Sequence, residues 1–306
     1  STLRLPGLAK QAGIPDGVLN VLTGPGEETG KAIALHPEIR GIFFTGSSEV
    51  GKLMLTYSGQ SNMKKVALEC GGKSAFIVSE KCDQLKTAAQ TLARNMYYNQ
   101  GQICSAPSRL FIQNSVRAVF LDELARELEA YVPNNPFEPS TIVGAIISKE
   151  QYARIKSFIQ QGIDSGLKAI SPGLRQEQSD CSGYYIAPTV FIDVPEQSPL
   201  ATEEIFGPVL LATEFETMSE AIRLANSSKY GLAASIWSAS LDEALTCAKA
   251  LEAGIVHINS YGEDDMSVPF GGIKESGLGK DKSLFAFDEY SNLKTTWVKL
   301  RTDNKE

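Results

Sequence analysis

Apolar residues along this chain follow two spacings. Leu85, Ala88, Ala89, Leu92, Ala93 and Met96 recur at intervals of three and four, which predicts an amphipathic helix over 84–98. Asn99 and Gly101 then act as stop signals. The same reading predicts helices at 116–130, 148–163, 217–227 and 241–253. Short β-rich runs bounded by turn residues predict strands at 18–22, 39–45, 65–69, 75–79, 109–113, 189–193, 208–215, 233–237 and 255–259. Near the start, strand, glycine turn and helix occur twice in succession. The first turn is Gly24-Pro25-Gly26, with Glu27 opening a helical stretch; the second is Gly46-Ser47-Ser48, with a helix over 49–55. Such repetition predicts an α/β fold with a parallel sheet. Two units over 1–66 are thin for a complete doubly wound domain. The tail at 293–300 is a lone strand pattern without a local partner, as expected of a strand that pairs with another subunit.

Length and charge narrow the classes. A chain of 306 residues has room for about two domains. Net charge is −7, from 29 basic and 36 acidic residues, and no long basic run occurs. Nucleic acid and anionic membrane surfaces are therefore not the expected partners. No apolar stretch approaches the ~20 residues that cross a bilayer, and the first residues lack the layout of a signal peptide. Five cysteines, an odd number at wide spacing, argue against a disulfide framework and for a reducing cytoplasm. With no CxxC pair and only His36 and His257, a zinc site is not expected.

Two residues carry candidate chemistry. Cys104 follows a helix end and the polar run Asn-Gln-Gly-Gln, with small neighbours Ser105 and Ala106. An inert cysteine belongs in an apolar element. A loop thiol near free backbone N–H groups is expected to have a lowered pKa and a ready-made oxyanion site. Glu69 closes an apolar strand just before Gly71-Gly72, where a carboxylate is costly unless paired or functional. Burial there would raise its pKa toward that of a general base. The bland readings are a packed cysteine and a salt-bridged strand end.

Other motifs are weaker singly. Gly46 to Lys52 nearly matches a P-loop, but Leu53 stands where the metal-binding hydroxyl belongs. A helix start that holds a phosphate is the simpler reading. Gly24, Gly26 and Gly30 form a loosened dinucleotide fingerprint. Glu203, Glu204 and Phe206 place carboxylates and an aromatic on a turn, suited to ribose hydroxyls and a nicotinamide ring or simply to capping a helix. The glycine-rich stretch 269–281 reads as a pocket wall or a flexible connection. The acidic run Glu263, Asp264 and Asp265 just before it is either a solvated loop or an attractor for a cationic substrate.

Taken together, "FTGSSEVGK" (44–52), "LECGGKS" (68–74), "NQGQIC" (99–104), "EEIFGPV" (203–209) and "PFGGIKESGLG" (269–279) resemble the aldehyde dehydrogenase superfamily. They occur in the family's order and cover nearly the whole chain. The C-terminal part is similar to the branch acting on γ-glutamyl-γ-aminobutyraldehyde and related aminoaldehydes. Cys70 departs from the leucine usual there, at a packing position. The resemblance implies the remainder of a Rossmann-like cofactor domain over 1–68, an α/β catalytic domain with a parallel sheet over 69–280, and a tail with an oligomerisation strand over 281–306. It implies oxidation of an aldehyde to a carboxylic acid with NAD or NADP, and a homo-oligomer, dimer or tetramer. Cys104 matches the nucleophile and Glu69 the general base. Asn99 lies in the family's catalytic loop motif without an assigned step. Gly46 and Ser47 match the pyrophosphate-facing helix start, Gly71 the glycine near the nicotinamide, Glu204 the ribose carboxylate, Phe206 the nicotinamide aromatic and Phe270 a pocket aromatic. Family members are longer at the N-terminus. The portion without a counterpart here carries the oxyanion asparagine, the adenine-ribose contacts and part of the oligomerisation hairpin. The expectation is weak or no dehydrogenase turnover by this chain alone. The alternatives are a cofactor-independent thiol esterase and a non-catalytic assembly module.

Overall fold

The computed structural model describes residues 1–171, 183–263 and 265–300. The chain opens with α1 (Leu5–Gln11). The strand expected at 18–22 does not form. Val18 and Leu22 are 68% and 71% exposed, and no strand among the described residues runs beside them to take their N–H and C=O groups. A π-turn at Gly26–Gly30 leads into α2 (Lys31–Leu35). Strand β1 (Gly41–Thr45), helix α3 (Ser48–Gln60) and strand β2 (Lys65–Glu69) follow, and β1 and β2 pair in parallel with Thr45 opposite Glu69. The Ser47 hydroxyl caps α3 by accepting from the Val50 N–H at 3.2 Å. Helix α3 outruns its expected end because Met54 and Ser58 continue the buried face begun by Gly51.

The second body is a seven-stranded sheet. In chain order it contains β3 (Ala75–Val78), α4 (Leu85–Met96), β4 (Arg109–Gln113), α5 (Arg117–Leu128), α6 (Lys149–Asp164), β5 (Lys168–Ile170), β6 (Thr189–Ile192), α7 (Pro199–Thr202), β7 (Val209–Phe215), α8 (Met218–Asn226), β8 (Tyr230–Gly231), β9 (Ala233–Trp237), α9 (Leu241–Ala250) and β10 (Ile255–Ile258). The sheet runs β10-β9-β3-β4-β7-β6-β5, and only the β5–β6 pair is antiparallel. The fold is therefore α/β. Its central strands read as unbroken apolar runs because helices cover both faces. Phe76 and Val78 pack with Leu92, Met96, Phe120 and Leu124 of α4 and α5. Ala75 and Ile77 face the other way, toward Leu224, Ala244 and Cys247 of α8 and α9. Each large apolar side chain buried in these layers contributes about 1.5–3 kcal/mol.

The chain then returns to the first body. Strand β11 (Ile273–Lys274) pairs with β8, and β12 (Gly277–Leu278) runs antiparallel to β2 with Gly277 opposite Glu69. The glycine-rich stretch is thus a structured crossing between the two sheets. Helix α10 (Ala286–Tyr290) docks on β1, where Tyr290 stacks on Phe43 with ring centres 4.1 Å apart. No strand forms at 293–300, whose Leu293, Trp297 and Val298 are exposed. No helix among the described residues is long and apolar enough to cross a membrane.

Candidate active site

Strand β2 delivers Glu69 to its C-terminal end, and two glycines carry the chain onward to β3. Both are forced by close approach. A Cβ on Gly71 would lie 2.2 Å from Oε2 of Glu204, and one on Gly72 2.3 Å from the Cys104 carbonyl oxygen. The Gly72 N–H donates to Oε1 of Glu204 at 3.0 Å. Helix α6 holds the Glu204 turn from the other side. Arg154 donates to the Glu204 carbonyl at 2.7 Å, and the Gln151 amide donates to the carbonyls of Ile205 and Phe206 at 3.0 and 2.8 Å. Phe206 sits in the left-handed region with φ +54°.

Helix α4 ends at Met96, and the loop to Cys104 reverses through three left-handed residues. Asn99, Gln100 and Gly101 have φ of +48°, +58° and +71°. Two non-glycine residues in that region store strain beside a reactive group. The Asn99 side chain donates to the Gln102 carbonyl, and the Gln102 side chain donates back to the Asn99 carbonyl. The loop amides therefore brace the loop itself. Gly101 lies against the Gly207 carbonyl, 2.4 Å from where a Cβ would sit. Beyond β10, Tyr261 packs in the same apolar cluster as Met96 and Ala106, and its hydroxyl donates to the Ser105 carbonyl at 2.5 Å.

The charge states follow from burial. Glu69 is 8% exposed and its Oε2 has no hydrogen-bond partner among the described residues. Burial pushes its carboxyl up to about 7, Asp281 adds to the rise, and Lys280 opposes it. Cys104 corrects an expectation, because its thiol is raised rather than lowered. Burial is the larger cause and Glu204 adds to it, outweighing the N–H groups of Ser105 and Cys104 that favour the thiolate.

A cavity of about 480 Å³ brings these groups together. Gly46 and Ser47 at the start of α3 line it, with Glu69, Gly71, Cys104, Glu204 and Phe206. Phe270 does not line it. The Phe270 N–H donates to the Asp281 carbonyl and its ring faces the Lys282 ammonium at 5.1 Å. Its neighbour Gly271 touches the base, since a Cβ there would be 2.5 Å from Oε1 of Glu69. Cys70 packs beneath α3, its sulfur 2.8 Å from where Gly51 would carry a Cβ. Glu263 and Asp265 line no part of this cavity, and Asp264 lies outside the described residues. No group of three metal-ligating side chains occurs among the described residues.

Gln151, Arg154 and Tyr261 escaped the reading of the sequence. The first two share a face of α6 at three-residue spacing, which reads as an ordinary polar helix face. Lys73 escaped as well. It is fully buried and its Nζ has no hydrogen-bond partner among the described residues. Burial, then Arg109, pulls the amine down to about 7, against Glu204 and Glu203.

The sequence model described as the aldehyde dehydrogenase family matches residues 1–296. The NADP/NAD-dependent aldehyde dehydrogenase PuuC of Escherichia coli is 45% identical over 303 residues, which are 98% of this chain and 60% of that protein. A solved indole-3-acetaldehyde dehydrogenase complexed with NAD+ superposes at a TM-score of 0.94 with 45% identity, over 98% of this chain and 60% of the other. The γ-glutamyl-γ-aminobutyraldehyde dehydrogenase of Burkholderia cenocepacia does so at 0.93 with 44% identity and the same coverage. This chain spans about 60% of the length of these relatives. The matched length, the identity and the shared fold place the chain in the aldehyde dehydrogenase family.

Proposed function

We propose that this chain carries the thiol and the base for oxidation of an aldehyde to a carboxylic acid with NAD or NADP. The observation that carries the reading is the single cavity holding Cys104, Glu69, Glu204 and the start of α3. Cys104 is the nucleophile. Glu69, raised to about 7, lines the same space and is the base for the water that releases the product. Sγ attacks the aldehyde carbon and a thiohemiacetal forms on Cys104. The N–H groups beside the sulfur are the donors for its oxyanion. After oxidation to the thioester, Glu69 takes a proton from water, the water oxygen attacks the thioester carbon, and the acid leaves as the thiol returns.

The residues present fit a dinucleotide. The N-terminus of the thirteen-residue α3, with side-chain-free Gly46 and the cap Ser47, opens on the cavity and suits a pyrophosphate. Oε1 of Glu204 is held by Gly72, which leaves Oε2 for ribose hydroxyls, while Gly71 and Phe206 border the nicotinamide position. Bound there, the cofactor would supply the hydride acceptor. We assign Phe270 to the outer substrate wall, through its neighbour Gly271 on Glu69.

One relative is named for an aminoaldehyde and another for indole-3-acetaldehyde, so both amino and neutral aldehydes belong in the test. A free catalytic thiol suits a reducing cytoplasm. The exposed apolar residues at 293–300 suit a homo-oligomer, dimer or tetramer. Domains over 1–68 and 69–280 with a tail over 281–306 remain our division. The test is NADH formation from a panel of aminoaldehydes and neutral aldehydes. NADH formation abolished by Cys104→Ala supports the reading. No NADH, with ester hydrolysis still dependent on Cys104, leaves this chain a thiol esterase, because that reaction needs only the Cys104 and Glu69 pair.

A further inference from the structure

A second cavity, of about 260 Å³, lies away from Cys104 on the α8 face of the large sheet. Its floor follows from strand register. Arg109 of β4 stands opposite Leu211 of β7, and Phe111 opposite Thr213, so these four residues, at alternate positions on paired strands, share one face. Ala201 of α7 and Leu224 at the end of α8 close two sides. Apolar Phe111, Val194, Ala201, Leu211 and Leu224 share the lining with hydroxyl side chains, with Glu196 and Lys229, and with Arg109 on the floor.

That cation is unusual. Arg109 is 7% exposed, and its three nitrogens donate only to backbone carbonyls: Lys73 at 2.7 Å, Leu224 at 3.0 Å and Ala225 at 2.8 Å. A guanidinium has five N–H donors, so two stay without a protein acceptor among the described residues. No carboxylate forms an ion pair with it among those residues. Lys229, at the rim, is already held by both oxygens of Glu203 at 3.0 Å. Glu196, whose charge reaches Arg109, is held by Arg223 at 3.1 Å. Burial lowers Arg109 to about 10, which leaves it cationic at neutral pH. Two of its acceptors, the Leu224 and Ala225 carbonyls, end α8, so the helix C-terminus offsets part of the cost of burying this cation, and an anion on the remaining N–H groups would offset more.

We propose that this cavity is a binding site for a small monocarboxylate with an apolar body, its carboxylate on the free N–H groups of Arg109 and its body between Phe111, Leu211 and Leu224. The volume lies below the ~300–1,000 Å³ of drug-sized sites, which limits the ligand to about one ring or a short chain. The site is separate from the thiol chemistry and does not rest on the dehydrogenase reading.

The test is calorimetric titration of the chain with benzoate and with its neutral isostere benzamide. Benzoate is expected to occupy one site per chain, and benzamide to bind at least about tenfold more weakly, because a hydrogen bond to a charged group is worth about 1.5–3 kcal/mol. Thr213→Phe fills the cavity from the sheet. It should weaken benzoate at least tenfold while the rate of Cys104 alkylation stays unchanged. If that variant fails to fold, Ala201→Phe fills the cavity from α7 and is read in the same way. No heat from benzoate, equal binding of both compounds, or full benzoate affinity in the filled variant overturns the proposal. The last result would place the binding elsewhere on the protein.

Discussion

The backbone N–H of Gly72 donates to Oε1 of Glu204 at 3.0 Å, although the two residues lie far apart in the sequence. On the other side, the α-carbon of Gly72 leaves room for the Cys104 carbonyl and for nothing larger. One glycine therefore couples the segment after Glu69 to both the thiol loop and the carboxylate turn.

Gly72→Ala tests the coupling. Its Cβ would meet a backbone oxygen at 2.3 Å, which no rotamer change relieves. The expected cost is about 1–3 kcal/mol, with a displaced Cys104 loop. Thermal unfolding and the rate of iodoacetamide alkylation check this. Unchanged values for both would remove the contact from the account.

Glu69 makes stability depend on pH in a defined direction. Its folded pKa of about 7 lies above the ordinary 4.5. Between those values the folded state holds a proton that the unfolded state has lost, so stability falls as pH rises through this window. Below it the contribution is absent, and above it the full penalty of about 3 kcal/mol applies. Glu69→Gln should abolish this slope and gain on the wild type between about pH 4 and about pH 8. Parallel denaturant curves for the two proteins across that range would contradict the assignment.

The raised thiol of Cys104 has burial as its first cause and Glu204 as its second. Alkylation should therefore show a midpoint above the ordinary thiol range. Glu204→Gln removes the second cause only, and its midpoint should move toward lower pH. A midpoint that stays in place or rises would mean that the Glu204 charge does not reach the sulfur.

Tyr261 braces the thiol loop by donating to the Ser105 carbonyl. Tyr261→Phe keeps the ring and loses that bond, at a cost of about 1 kcal/mol. Faster amide exchange at residues 104–106 is the expected signature. If exchange is altered equally throughout the protein, the bond has no special hold on the loop.

The chain's periodicities are sufficient for α4 and for most strands of the large sheet, where both faces are buried and the apolar runs are unbroken. They mislead at 18–22, because β propensity needs a neighbouring strand to become a strand. They also miss β12, whose two residues carry no pattern and pair with β2 through the glycine-rich crossing. At the site, Cys104 and Glu69 are legible as polar residues in costly places. Arg154 and Tyr261 are not, because each acts through a single hydrogen bond to a backbone carbonyl in a distant segment. The direction of the Cys104 shift is also hidden, because it comes first from burial in the folded chain and then from Glu204, which arrives from far along the sequence.

The most direct test of the central claim is the mass of the protein after exposure to an activated acetyl ester. Cys104 should acquire one acetyl group, and Glu69 should supply the base that removes it. The account predicts a persistent acetyl adduct on Cys104 in Glu69→Gln, rapid clearance in the unsubstituted protein and no adduct in Cys104→Ala. Equal clearance with and without the Glu69 carboxylate would contradict the pairing of this thiol with this base.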